Sequence, residues 1–244
     1  MTKPSADEAA RMTLFEHLAE LRTRLVISVV AVAVGGAVAF ATSNLIVDFL
    51  IGPYCDLKGS GDCALVILDP LEGFATRLKI AGFGGLFLAS PVVLWQVWRF
   101  VTPGLNHNEK RYAVPFILSS ILLFVLGATL AILTFPRALE FLIDVGGPNF
   151  VPLFSPSKYL RLILLMVAAF GIAFEFPVLL MFLQLAGVLS SRRLRSWRRG
   201  AIIGIFVVAA VITPSQDPIT LMALAVPMYL FYEAAILIGR LLKK

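Results

Sequence analysis

Six apolar runs separated by short polar stretches organise the chain, at about 25–51, 72–100, 112–136, 159–187, 200–214 and 218–240. Most are long enough for a membrane-spanning helix, which needs about 20 apolar residues. The fifth is short. Ala201 to Thr213 gives only about thirteen residues, or about 20 Å of helix against a hydrocarbon core of about 30 Å. Ahead of the first run, residues 13–24 alternate differently: Leu14, Leu18 and Leu21 fall on one helical face with Leu25, and Thr13 and Glu16 have capping-box spacing. That segment is predicted to be an amphipathic helix at the membrane interface, feeding the first span. The pattern predicts an all-α polytopic membrane protein built as a single integral membrane domain over 1–244.

Prolines and turn residues refine the picture. Pro91, Pro115, Pro177 and Pro227 lie within the runs and are expected to bend their helices, because each removes an intrahelical hydrogen bond. Between the last two runs, Pro214-Ser-Gln-Asp-Pro218 predicts a tight turn with Asp217 as N-cap and Pro218 opening the final helix. Short and bent helices together suggest a curved wall. Ala81, Gly85 and Ala89 recur every four positions in the second run, a spacing that permits close helix packing.

Composition narrows the class. The chain has 244 residues, of which 59% are hydrophobic and 15% charged, against about a quarter charged in soluble domains. No room is left for a soluble catalytic domain, and no enzyme activity, cofactor or metal site is expected. The first dozen residues carry Lys3, Asp7, Glu8 and Arg11 without an apolar core, so no cleaved signal peptide is predicted. The net charge of +6 is spread over the loops. The loops on the N-terminal side hold more Lys and Arg, including Arg192, Arg193, Arg195, Arg198 and Arg199, which predicts both termini in the cytoplasm. Cys55 and Cys63 then fall in the first extracytoplasmic loop, where an oxidising compartment permits a bridge between them.

Glu175 is the chemical anomaly. It lies in the middle of an apolar run, where an ionisable group costs roughly 2.5–3.5 kcal/mol on insertion scales. Such carboxylates face a bundle interior or a wet cavity, so Glu175 is a candidate functional residue. At the basic cytoplasmic edge, Glu20 and Glu109 offer carboxylates suited to guanidinium, which binds through paired donors. Spacing alone favours ordinary solvated pairs, since Glu20 precedes Arg24 by four residues and Glu109 adjoins Lys110 and Arg111. His17 and His107 both lie at the edge, so no pair of histidines within the spans is available to ligate haem. Gly-x-Ser-x-Gly and phosphate-loop motifs are absent.

Several strings, in order, resemble one family. They are His17-Leu-Ala-Glu20-Leu-Arg22-Thr-Arg24, Pro91-Val-Val-Leu-Trp-Gln-Val-Trp-Arg-Phe100 with Pro103 and Glu109-Lys-Arg111, Phe170-Gly-Ile-Ala-Phe-Glu175-Phe-Pro177, Thr213-Pro-Ser-Gln-Asp217 and Ala225-Val-Pro-Met-Tyr229. The chain thereby resembles TatC, the polytopic core of the twin-arginine protein translocase. That resemblance implies a glove-like six-helix fold in the cytoplasmic (inner) membrane. It also implies binding of twin-arginine signal peptides on folded cargo, work with single-span TatA- and TatB-like partners, self-association, and dependence on the proton-motive force. Glu20, Arg22, Phe100 and Glu109 match its signal-binding surface, Glu175 its intramembrane polar position and Asp217 its extracytoplasmic turn. Asn106-His-Asn108 and the two cysteines depart from the matched pattern. The alternative is a proton-coupled small-solute carrier using Glu175, which would want more ionisable groups at mid-depth and repeated halves.

Overall fold

The computed structural model describes residues 14–58, 65–101, 113–147, 149 and 153–241. These form nine helices: α1 (Leu14–Ala41), α2 (Ser43–Lys58), α3 (Glu72–Val101), α4 (Ala113–Gly146), α5 (Pro156–Ala173), α6 (Phe176–Leu185), α7 (Ser191–Ser196), α8 (Arg198–Ile212) and α9 (Pro218–Leu241). Five stretches are long and apolar enough to cross a membrane: Glu16–Ala41, Glu72–Val101, Val114–Gly146, Pro156–Leu185 and Pro218–Leu241. Large apolar side chains such as Val34, Leu45, Leu122, Leu133 and Val211 stand exposed around the perimeter. A soluble surface does not carry such a band, and a bilayer covers it.

The expected boundaries shift at four places. The 13–24 segment is no separate helix among the described residues, because α1 runs unbroken from Leu14 into the first span. Leu18, Leu21 and Leu25 stay exposed, so its apolar stripe faces outward. The run 25–51 is two helices, parted at Thr42, whose hydroxyl donates to the Val38 carbonyl at 2.9 Å. Such back-bonding bends helices. The run 112–136 continues to Gly146, with Pro136 tolerated inside α4. The run 159–187 breaks after Ala173. The ring of Pro177 meets the place of the Ala173 carbonyl, four residues earlier, and lacks an N–H to return. Pro177 therefore opens α6 instead of bending a helix. Pro115 likewise sits in the first turn of α4, where no intrahelical bond is lost, while Pro91 and Pro227 are truly interior.

Antiparallel pairs build the bundle. Helices α1 and α3 approach at backbone distance, since a Cβ on Gly85 would stand 2.7 Å from both the Gly36 nitrogen and the Val32 oxygen. The small-residue spacing at Ala81 and Gly85 is thus the seam of this pair. Helices α4 and α5 pack as closely, with a Cβ on Gly127 falling 2.5 Å from the Phe170 oxygen. Around them Phe135, Tyr159, Phe170, Phe174, Leu224 and Ile236 form the buried core. Helix α8, at 15 residues, folds back against α9.

One end of the bundle is tied by polar contacts. The Glu72 carboxylate accepts from the backbone N–H of Leu68 at 3.0 Å and of Ser157 at 3.1 Å. Lys79 also bonds the Ser157 hydroxyl, and the Tyr159 hydroxyl donates to the Leu50 carbonyl at 2.8 Å. Cys55, in α2, is disulfide-bonded; Cys63 lies outside the described residues.

Replacing Gly85 with Ala is expected to push α1 off α3 and cost about 1–3 kcal/mol, the usual penalty of overpacking. Thermal unfolding of the detergent-solubilised protein reads this as a lower midpoint. Gly82→Ala is the matched control, because no atom lies within 4 Å of its Cβ position. Equal midpoints for the two variants would contradict the seam.

Candidate functional site

At the end of the bundle opposite the Glu72 ties, α1 and the last turns of α3 form a rim. His17, Glu20 and Arg24 share one face of α1, at spacings of three and four residues. His17 stacks on Phe100 with ring centroids 4.3 Å apart. The Arg24 guanidinium donates from Nη2 to Glu20 Oε1 at 2.8 Å and from Nη1 to Gln96 Oε1 at 3.0 Å. The Glu20 and Arg24 side chains keep only 19% and 18% of their exposure, so this pair is shielded rather than freely solvated. Arg24 Nε is buried without a hydrogen-bond partner. Arg22 lies exposed on the other side of α1, away from Glu20, beside a shallow depression lined by Ala19, Thr23 and Val26. The structure thus brings Phe100 onto His17, one helical turn before Glu20, and turns Arg22 elsewhere. Glu109 falls outside the described residues.

The second feature is Glu175. It occupies the break between α5 and α6, with its carbonyl accepting from Leu179 N–H at 3.0 Å and so starting α6. Its Oε2 accepts from the Ser120 hydroxyl at 2.6 Å, and Ser120 in turn accepts from the Trp98 indole N–H at 2.6 Å. Oε1 is buried with no hydrogen-bond partner. Trp98 is held by Phe116, stacked at 5.4 Å, and Phe182, edge-on at 5.6 Å. An apolar groove of about 300 Å3 runs alongside, lined by Pro115 and Ser119 from α4, Pro177 and Met181 from α6, and Phe231 from α9. The carboxylate thus has one oxygen bonded and one buried without a partner, and Pro177, two residues on, lines the neighbouring groove.

Asp217 caps α9 as expected. Its Oδ1 accepts from Thr220 N–H at 2.8 Å and its Oδ2 from the Thr220 hydroxyl at 2.6 Å. Burial pushes this carboxyl up, but hydrogen bonds from Ser215, Thr220 and the Ile219 backbone outweigh it and hold the group below its ordinary value of 3.8. Gln216 turns the chain with φ 50°. The cap is structural in its contacts: it fixes the α8–α9 hairpin.

Gln96 and Trp98 enter the sequence analysis only within the 91–100 string, and Ser120 not at all. A signal existed for each: all three are polar or hydrogen-bonding groups inside apolar runs, where every such group needs a partner. No group of three or more His, Cys, Asp or Glu suited to a metal ion occurs among the described residues.

A multi-pass helical membrane protein with a shielded carboxylate at its rim and another inside the bundle is therefore the class. The family model for Sec-independent protein translocase protein (TatC) matches residues 16–227. A relative from Frankia casuarinae is 44% identical over 95% of this chain and 66% of its own length. One from Aquifex aeolicus is 41% identical, covering 94% of this chain and 95% of the relative. Both carry the name Sec-independent protein translocase protein TatC. A crystal structure of the twin-arginine translocase receptor TatC in DDM superposes with TM-score 0.78 at 41% identity, covering 92% of this chain and 99% of that one. The chain belongs to the TatC family. The solute-carrier alternative gains no support from these relatives.

Proposed function

We propose that this chain is the receptor for twin-arginine signal peptides and the core of a translocase that moves folded proteins across the cytoplasmic membrane. One observation carries the reading. Glu20 already holds a guanidinium at 2.8 Å in a shielded position, one helical turn from the His17 that stacks on Phe100, which is the chemistry an arginine of a signal would meet there. The solved relative's description as a twin-arginine translocase receptor supports it. In this reading Glu109 supplies the second carboxylate, Arg22 flanks the surface, and the apolar part of the signal lies along the exposed Leu18, Leu21 and Leu25 stripe.

The topology that goes with it has six crossings, counting the short α8, in a curved glove-like wall with both termini cytoplasmic. The weight of Arg192, Arg193, Arg195 and Arg199 on the rim side supports that orientation. Single-span partners of the TatA and TatB kind, and further copies of this chain, are the expected neighbours. Glu175, a carboxylate within an apolar run and two residues before the groove-lining Pro177, is the proposed docking point for a partner helix.

Cysteines placed at Leu68 and Ser196 in a cysteine-free variant, both exposed positions, are expected to react with an impermeant reagent from opposite faces of the membrane. Reaction of both from one face would sink the orientation.

Glu20→Gln and Glu109→Gln each remove a charge with little change of shape. A charge-assisted bond is worth about 1.5–3 kcal/mol, so signal-peptide affinity is expected to fall by about ten- to a hundredfold in each. Titration of a labelled twin-arginine peptide measures this, and unaltered affinity in the double variant would leave both residues as ordinary ion pairs.

At Glu175, Gln retains an oxygen that can accept from Ser120, whereas Ala leaves the Ser120 hydroxyl without its acceptor. Transport of a folded cargo is expected to persist in Glu175→Gln and to be mostly lost in Glu175→Ala, with signal binding intact in both. A dead Gln variant that still assembles and binds signal would replace docking with proton exchange.

A further inference from the structure

We propose that Arg24 is a resident occupant of the signal site, an internal guanidinium that an arginine of the signal must displace from Glu20. The proposal rests on the signal-binding reading of Glu20 given above. Three features of the rim carry it.

First, the resident is held in place from two directions. Glu20 lies one helical turn before Arg24 on α1, and Gln96 reaches it from α3, 72 positions away in sequence. A lone i,i+4 pair on a helix surface exchanges freely with solvent. This one is shielded, and its second anchor, Gln96, is itself buried. The carboxylate that would receive a signal arginine is therefore not empty in the resting chain.

Second, the resident is under-satisfied. Its Nε is buried without a partner, and a desolvated donor left unpaired is costly. Arg24 uses its two terminal nitrogens on two different acceptors, so it meets Glu20 through a single nitrogen, at Oε1. An incoming arginine can set its planar fork against both carboxylate oxygens, the stronger arrangement. Release of Arg24 also returns its Nε to water. Exchange of one guanidinium for another thus runs close to balance and tips toward the newcomer.

Third, an ammonium has no fork. A lysine in the signal meets Glu20 through one point and gains nothing over the resident that it must evict. The displacement cost belongs to the Arg24 contacts and is the same for every ligand. Arg24 therefore acts as a threshold: it lowers the affinity of all cationic ligands by one common factor, and only those with a strong enough grip remain bound.

The charge-conserving substitution Arg24→Lys tests this on the full-length, detergent-solubilised chain, since lysine keeps the charge but cannot span Glu20 and Gln96 together. Titrations use a labelled twin-arginine signal peptide and its double-lysine counterpart. Arg24→Lys is expected to strengthen both by about fivefold, with their ratio unchanged. In a Glu20→Gln background the same substitution is expected to change neither. Gln96→Ala removes the second anchor without touching any charge and is expected to raise affinity in the same sense, so the proposal does not hang on one variant folding. Equal or weaker binding in Arg24→Lys, or a gain that persists without Glu20, would overturn the resident role. If Glu20→Gln alone leaves the twin-arginine affinity unchanged, it is the signal-site reading of Glu20 that fails, a result distinct from the other two.

Discussion

The backbone-to-backbone approach of α1 and α3 at Gly36 and Gly85 is the constraint on which the rim depends. No side chain separates the helices there, so their relative register is fixed to within the width of an atom. Followed along both helices, that register sets Arg24 against Gln96 and His17 against Phe100. A side chain at Gly85 would not touch the rim, yet it would move everything that forms it. The cost of glycine in a helix, about 1 kcal/mol relative to alanine, is offset by the long contact that its absence of a side chain allows.

The last turns of α3 serve two sites at once. Gln96 faces α1 and holds Arg24, while Trp98 faces α4 and α6 and bonds Ser120, which bonds Glu175. Residues two apart on a helix point to different sides, so one short segment lies between the rim and the Glu175 carboxylate. The break that Pro177 forces after Ala173 completes the second site. It places Glu175 at the start of a new helix, its side chain meeting Ser120 instead of lipid.

Much of this was legible in the sequence, for reasons that differ from part to part. Apolar runs announce spans because a bilayer requires them, and the small residues at Ala81 and Gly85 announced a close helix approach without naming α1 as the partner. Glu175 was conspicuous as a charge in an apolar run. The break beside it was less so: Pro177 was read as a bend, since nothing local says whether a proline interrupts a helix or begins one. The partners of Gln96 and Ser120 and the shielding of the Glu20 pair were not legible, because each comes from a distant helix. The place of Arg22 was obscured likewise: neighbours in a motif sit on opposite faces once the segment is helical.

The Glu72 carboxylate is a joint. By gripping the backbone of Leu68 and Ser157 it joins the first turn of α3 to that of α5, and Tyr159 extends the joint to α2. From that end to Gln96 the helix rises about 36 Å, past the α1 seam at Gly85 and the interior Pro91. A tilt of about 5° about the joint alone would carry the Gln96 end through about 3 Å, the length of a hydrogen bond, and would drive Gly85 into α1 by about half as much. The helix is therefore a beam on two supports, and the Gln96–Arg24 contact hangs on the overhang beyond the second.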